Sequence, residues 1–336
     1  MSSPTLTRFP GVVGTFMGRD ALSLAVSHLG LTGNDTVLLP AYNCKEVLRP
    51  FKRTHVVLYD VCPDLTVDPE EINRKLRSAR VKVLVLINYF GFLQPCREQI
   101  KRICAGNGVL VIEDCAHSLL TAGSGNTGDL SVYSFRKILP VPDGGGLRIN
   151  LNSEAANPDF YPRAYSNVLS LLAMAKSFSG LRSDTLSRAG VANGRESLQA
   201  NGASTPNHRR TLPISWFAAR GIASLPFEEN VEKRRNDYKA WEEFCANQPS
   251  LKPVFAGLPD GVCPLGFPVR IKDRDALVSG AGNRGIHLMV HWRLAADLEA
   301  EQPNSYRLST EIVTLPVGAE LRPGQREILA GLLARA

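Results

Sequence analysis

The stretch Val109–Ser118, VLVIEDCAHS, runs a short apolar strand directly into two adjacent carboxylates, Glu113 and Asp114. Seventeen residues beyond Asp114 a second strand pattern, Ser131–Phe135, runs into Arg136 and Lys137, followed by a proline-bearing turn and Gly144-Gly145-Gly146. Open α/β sheets bind ligands at the carboxyl ends of their parallel strands, so an acid and an amine at two such ends mark a site. Outward from this pair, short β-rich runs alternate with amphipathic stretches from Gly18 to Asn150. That rhythm predicts an α/β domain with a mainly parallel sheet. Strands are expected at Thr36–Pro40, His55–Val61, Val81–Tyr89, Val109–Glu113, Ser131–Phe135 and Gly145–Asn150. Helices are expected at Asp20–Leu29, Lys45–Lys52, Pro69–Leu76 and Arg97–Ala105.

The rhythm breaks after Ser153. Ala164–Lys176 reads as a helix, and Ser179–Asn207, dominated by Ser, Gly, Asn, Ala and Arg, reads as a flexible loop. Consecutive helices follow at Ile214–Leu225 and Glu228–Ala246. Strands are then expected at Leu251–Phe255, Gly266–Ile271 and Ile286–Trp292, with a C-terminal helix at Pro323–Arg335. This divides the 336 residues into a large α/β domain (1–207) and a smaller α+β domain (208–336). No repeat is visible.

Composition narrows the function classes. At 44% hydrophobic and 21% charged the chain is globular, and no apolar run reaches the roughly 18–20 residues a membrane span needs. The N-terminus lacks the apolar core and cleavage site of a secretory signal, and a cytoplasmic location is expected. Seven scattered cysteines without a CxxC pair fit reduced thiols better than a disulfide framework or a zinc site. The net charge of +7 is interleaved with acids, as in Glu228–Arg235, which is a bias toward anionic ligands and not a nucleic-acid stripe.

An amine and a carboxylate so placed suit pyridoxal 5'-phosphate, which takes a lysine for its aldehyde and an acid for its pyridine nitrogen. Taken alone, Asp114 is equally readable as a strand-end turn cap and Lys137 as an exposed lysine. The ordered segments FMGRDAL (Phe16–Leu22), LLPAYNC (Leu38–Cys44), INYFG (Ile87–Gly91), VIEDCAHS (Val111–Ser118), GDLSVYSF (Gly128–Phe135) and DGGG (Asp143–Gly146) resemble the DegT/DnrJ/StrS sugar aminotransferases. The likeness extends more loosely through Ile214–Leu225, Arg284–Trp292 and Glu311–Leu321.

The resemblance implies an aspartate-aminotransferase-like fold (fold type I), a pyridoxal-phosphate cofactor and a homodimer. It implies amino transfer, from a donor such as glutamate, to a nucleotide-linked keto-sugar in amino-sugar or polysaccharide biosynthesis. Nucleic-acid and membrane partners are not expected. By the same resemblance Asp114 partners the ring nitrogen and His117 lies beside the ring. Gly18, Arg19 and Asp20 present helix-start N–H groups to the phosphate, and Ser134 adds a hydroxyl. Lys137 is the catalytic amine. Family members carry that lysine four residues after the Phe of the Ser-Phe pair; here that place is Leu139, and Lys137 lies two after Phe135. The Phe-to-glycine length matches, so Lys137 reaches the same space through a turn stiffened by Pro140 and Pro142.

If it does not, a non-catalytic cofactor- or amino-sugar-binding protein is the alternative. The histidine that family dehydratases place there is absent between Tyr133 and Gly146. Cys44 replaces the aromatic residue that often stacks on the cofactor, leaving Tyr42 or Tyr89 to substitute. Thr211 stands where a phosphate-contacting asparagine is expected, with Arg209 and Arg210 beside it as replacements.

Three weaker signals read differently. Gly123–Gly128, GSGNTG, matches GxGxxG but precedes a strand, which makes it a glycine turn and not a dinucleotide site. His287 and His291 lack a third metal ligand; the resemblance implies that their segment faces the cofactor cleft, and two polar strand residues are the plain alternative. Cys115 is expected in the core, since neighbouring carboxylates oppose its thiolate.

Overall fold

A computed structural model describes residues 6–151, 211–248, 251–318 and 324–334. Its organising element is a seven-stranded sheet formed by β1 (Val12–Thr15), β2 (Thr36–Pro40), β3 (His55–Tyr59), β4 (Val81–Ile87), β5 (Leu110–Asp114), β6 (Leu130–Ser134) and β7 (Gly145–Ile149). The spatial order is β1-β7-β6-β5-β4-β2-β3, with β2 to β6 mutually parallel and β7 antiparallel to both β6 and β1. The near-continuous apolar runs of β2 and β4 follow from burial on both faces: Val37, Leu38, Leu39 and Val83 through Leu86 are fully buried.

Helices cover the sheet through apolar faces of helical spacing. Helix α1 (Gly18–His28) buries Ala21, Leu22, Leu24 and Ala25. The short α2 (Lys45–Leu48) passes into a 3₁₀ turn, Arg49–Phe51, which replaces the continuous helix expected to Lys52. Pro50 causes this, because it has no N–H to continue the ladder. Helix α3 (Pro69–Ser78) starts where the Asp68 carboxylate accepts the Glu70 N–H at 2.9 Å with proline at the first position, and α4 (Arg97–Gly106) buries Ile100 and Cys104.

Beyond residue 210, α5 (Trp216–Ser224) begins at Ser215, whose hydroxyl accepts the Ala218 N–H. Helix α6 (Phe227–Ala246) then buries Tyr238, Trp241 and Cys245 against a second, antiparallel sheet. That sheet orders β10 (Ile312–Leu315), β9 (Phe267–Arg270) and β8 (Lys252–Pro253), and is also packed by α7 (Arg274–Gly282) and α9 (Gln325–Leu333). Helix α8 (Pro303–Glu311) joins the large core through Leu308. Strands β1 and β10 and helices α7 and α8 are elements that the hydrophobic pattern does not announce.

Two strand expectations are corrected. Leu251–Phe255 shrinks to β8, where Pro253 removes a ladder donor. Ile286–Trp292 is not a strand. It makes a single bridge, Met289 to Thr314, and then turns its His291 and Trp292 rings onto Phe90 and His117, which lie just past the ends of β4 and β5. The helix expected at 164–176, the loop at 179–207 and Arg209 and Arg210 lie outside the described residues. Among the described residues no helix is long and apolar enough to cross a membrane, and the seven cysteines form no disulfide.

Candidate cofactor site

Strand β5 carries its two carboxylates to opposite faces, as strand alternation requires. Glu113 is fully buried and completely answered. Its Oε1 accepts the Asn88 amide at 2.8 Å and the Gly125 N–H at 3.0 Å, and its Oε2 accepts the Thr127 and Gly128 N–H groups at 2.9 and 3.0 Å. The GSGNTG turn is thus an anion cradle, and its anion is a side chain of the same molecule. Its Gly125, Thr127 and Gly128 N–H groups are therefore already taken. Asp114, by contrast, accepts the Ala116 N–H at 2.9 Å and lines a cavity of about 300 Å³. Burial pushes its carboxyl above the usual carboxylate range, opposed by the positive charge of Lys137.

Lys137 enters the same cavity from β6. After Ser134 the chain closes a 3₁₀ turn, Phe135–Lys137, in which the Ile138 and Leu139 N–H groups both donate to the Phe135 carbonyl, at 3.1 and 2.8 Å. Phe135, Ile138 and Leu139 are buried in a cluster shared with Ala218 and Ile222 of α5, which leaves Arg136 and Lys137 on the open side. The turn therefore delivers Lys137, and not Leu139, to the cavity that holds Asp114. The Lys137 side chain keeps solvent contact through the cavity mouth, yet the protein packed around it lowers its ammonium pKa by desolvation, partly offset by Asp114.

The third wall is the start of α1. Its N-cap residue, Met17, provides no side-chain cap; the Asp20 and Ala21 N–H groups donate to the Met17 carbonyl at 3.0 and 3.2 Å, and the first two helical residues, Gly18 and Arg19, line the cavity. Ser134 lines it as well and is itself buried. The DGGG segment makes this wall possible, because a Cβ on Gly145 would strike the Met17 carbonyl. Asp143 closes the segment from below, accepting the Ser215 N–H at 3.0 Å. Arg19 turns its guanidinium to Glu46 on α2 at 2.6 Å, and Arg49 reaches the same carboxylate at 3.2 Å. Asp20 does not line the cavity; burial pushes its carboxyl up to about 6, with the Arg19 charge opposing. Cys44 and Glu46 do line it, and sequence reasoning had not placed Glu46 there; its only signal is a carboxylate one helical turn from Arg49.

His117 lies behind this wall. Its Nδ1 accepts the Phe90 N–H at 3.3 Å, while its Nε2 is a buried ring nitrogen without a hydrogen-bond partner. Desolvation, then the Lys137 charge, hold it well below the usual histidine range and so neutral. Its ring packs against His291 and Trp292, with centroids 5.5 and 5.4 Å away. His291 is bonded to the Thr314 hydroxyl at 2.9 Å and is pushed down to about 3 by burial and Lys137. Tyr42 and Tyr89 do not line the cavity; they pack on Trp292 and on each other, and the Tyr89 hydroxyl donates to the Tyr42 carbonyl at 2.7 Å. His287 is exposed, so it forms no site with the buried His291. Cys115 is fully buried, and burial followed by Glu113 drives its thiol pKa upward.

Residues 7–159 match the model of the DegT/DnrJ/EryC1/StrS aminotransferase family. The segment spans β1 to β7 and so includes Asp114, Ser134 and Lys137. GDP-perosamine synthase of Vibrio cholerae is 29% identical over 145 residues, which cover 41% of this chain and 39% of that relative. The chain thus spans about two fifths of the length of the curated relatives it matches.

Solved structures extend the fold likeness past the matched segment. The aminotransferase TlmJ from Streptoalloteichus hindustanus superposes with a TM-score of 0.68 at 21% identity, covering 97% of this chain and 85% of that one. DesV of S. venezuelae, solved with a ketimine intermediate, gives 0.66 at 19% identity over 96% and 84%. The α/β fold with its second, smaller sheet is therefore that of these aminotransferases.

Proposed function

We propose that this chain is a pyridoxal-phosphate-dependent aminotransferase acting on a nucleotide-linked keto-sugar, with glutamate as the donor that the family resemblance implies. The observation that carries the reading is the meeting of the Lys137 amine and the Asp114 carboxylate in one cavity beside an uncapped helix start. These residues fit the cofactor. The helix start at Gly18 and Arg19 and the Ser134 hydroxyl suit a phosphate, Asp114 suits a protonated ring nitrogen, and the partnerless Nε2 of His117 supplies one further polar atom behind the cavity wall. Spr1654 of Streptococcus pneumoniae, which shares the fold with a TM-score of 0.69 at 17% identity, has been solved in PLP and PMP forms. When bound, the cofactor supplies an aldehyde and an electron-withdrawing ring.

The remaining chemistry belongs to the side chains. Lys137, its ammonium destabilised by desolvation, has a larger share of free amine at neutral pH than an ordinary lysine. That is the form that would hold the cofactor's aldehyde, and its Nζ is the atom that could take up and return a proton. Asp114, whose carboxyl pKa is pushed up by burial and opposed by the Lys137 charge, is the group that would face the ring nitrogen. Neutral His117 and His291 add no positive charge beside Lys137, which would otherwise lower its basicity further. A cytoplasmic homodimer completes the reading by family resemblance.

The test is the visible spectrum of the purified protein with added pyridoxal phosphate, before and after borohydride, in wild type and Lys137→Ala. A yellow band trapped covalently at Lys137 in wild type, and untrapped in the variant, is the expected result. Binding without lysine-dependent trapping would favour the non-catalytic binding protein, and no binding would remove the cofactor from the account.

A further inference from the structure

The turn bearing Lys137 is three residues long and lies within a loop stiffened by Pro140 and Pro142, so something must fix it against the rest of the molecule. Its carbonyls identify the fixing group. The Ile138 carbonyl, one residue past the lysine, accepts from Nη2 of Arg234 at 3.1 Å. Arg234 stands on α6 and is 7% exposed, an uncommon place for a guanidinium. Its other donors spread over the second half of the chain: Nη1 to the Pro264, Leu265 and Val317 carbonyls at 3.2, 3.3 and 3.3 Å, and Nε to the Asn230 side chain at 3.0 Å.

The surroundings are shaped to this cation. Gly318 has φ +77°, and a Cβ there would lie 2.7 Å from the guanidinium carbon. The Gly318 N–H donates to Asp237, one turn along α6 from Arg234, at 2.9 Å, so that one helix holds Gly318 through Asp237 and the neighbouring carbonyls through Arg234. Desolvation lowers the pKa of Arg234, with Cys263 and Asp237 opposing. A lysine could not replace it, because one ammonium nitrogen cannot span four carbonyls that a planar fork reaches from both ends.

We propose that Arg234 is the positioning residue for Lys137: by clamping the Ile138 carbonyl to the segments at 264–265 and 317, it holds the amine at its place opposite Asp114. The proposal rests on reading Lys137 as the reactive amine. Its test is chosen so that the two can fail separately. In the protein without added cofactor, acetylation of Lys137 by acetic anhydride is followed across pH by peptide mass mapping, with exposed Lys52 as internal reference. The groups whose charge reaches Lys137 are Asp114, Cys44, Arg136, His117 and His291, and the clamp sets its distance from all of them.

In Arg234→Lys, and independently in Gly318→Ala, which keeps the arginine but displaces it, the Lys137 midpoint is expected to move up toward the ordinary lysine value. Its labelling rate at pH 7 should fall threefold or more while Lys52 is unchanged. Borohydride-trapped pyridoxal phosphate on Lys137 should fall in parallel, and guanidinium ion should restore labelling in Arg234→Ala. Folded variants whose Lys137 profile superimposes on wild type overturn the proposal. If Arg234→Lys does not fold, Gly318→Ala decides. If wild type attaches no pyridoxal phosphate, the cofactor reading falls while the labelling profiles still decide the role of Arg234.

Discussion

Glu113 and Asp114 are neighbours in one strand with opposite fates. Glu113 meets three backbone N–H groups and an amide, so it is a finished structural anion with nothing left to bind. Asp114 meets the Ala116 N–H and faces a cavity and a lysine across it. The difference teaches that burial alone does not pick out a candidate functional carboxylate; incomplete satisfaction toward a cavity does. Strand alternation divides the roles, since residues one apart face opposite sides of the sheet.

The largest test of this contrast is to remove what Asp114 faces. On the proposed function, Lys137→Ala should lower turnover by about 10³-fold or more, within or beyond the range of a lost general base, and leave urea unfolding near wild type. Glu113→Ala should do the reverse. It strands four buried donors and is expected to cost about 3–5 kcal/mol in urea unfolding, while any folded fraction still binds pyridoxal phosphate. Equal destabilisation by Asp114→Asn would erase the distinction. Instead Asp114→Asn should unfold within about 1 kcal/mol of wild type and lose about 10²-fold in turnover, measured with saturating cofactor.

A smaller effect separates Asp114 from the third acid near the cavity, Asp20. Its carboxyl is raised from 3.8 to about 6, so the folded protein holds that proton more tightly than the unfolded chain. The stabilisation is present below about pH 4 and is lost as the pH rises through about 6. Asp20→Asn should therefore raise stability at pH 7 by about 1–3 kcal/mol and match wild type at pH 4 in paired thermal melts. A difference of the same size at both pH values would reassign the effect to packing.

Much of this site was legible in the chain. VLVIED and LSVYSF announce strands by their apolar β-rich runs, and strand ends are where a parallel sheet offers its residues, so Asp114 and Lys137 could be named before any fold was seen, while Ser134 came from the family resemblance. The position of Lys137 was harder, because counting from Phe135 points to Leu139. Buried Ile138 and Leu139 resolve it, since a 3₁₀ turn with both apolar side chains inward leaves only residues 136 and 137 to face out. Tyr42 and Tyr89 were named as stacking aromatics and instead form the core contact for Trp292, a partner some 200 residues away that no local pattern indicates.

By itself the sequence determined the alternation of strands and helices, the parallel sheet and the two ends at which an acid and an amine emerge, because these depend on residue order and on periods of two and about 3.6. Only the tertiary structure decided which of two adjacent carboxylates is free to act, that the GSGNTG amides are already occupied, and that Arg234 reaches Ile138 across 96 positions of chain. Those outcomes depend on which distant groups arrive at a given carboxylate or carbonyl. Hydrogen bonds between residues far apart in sequence leave no periodicity along it.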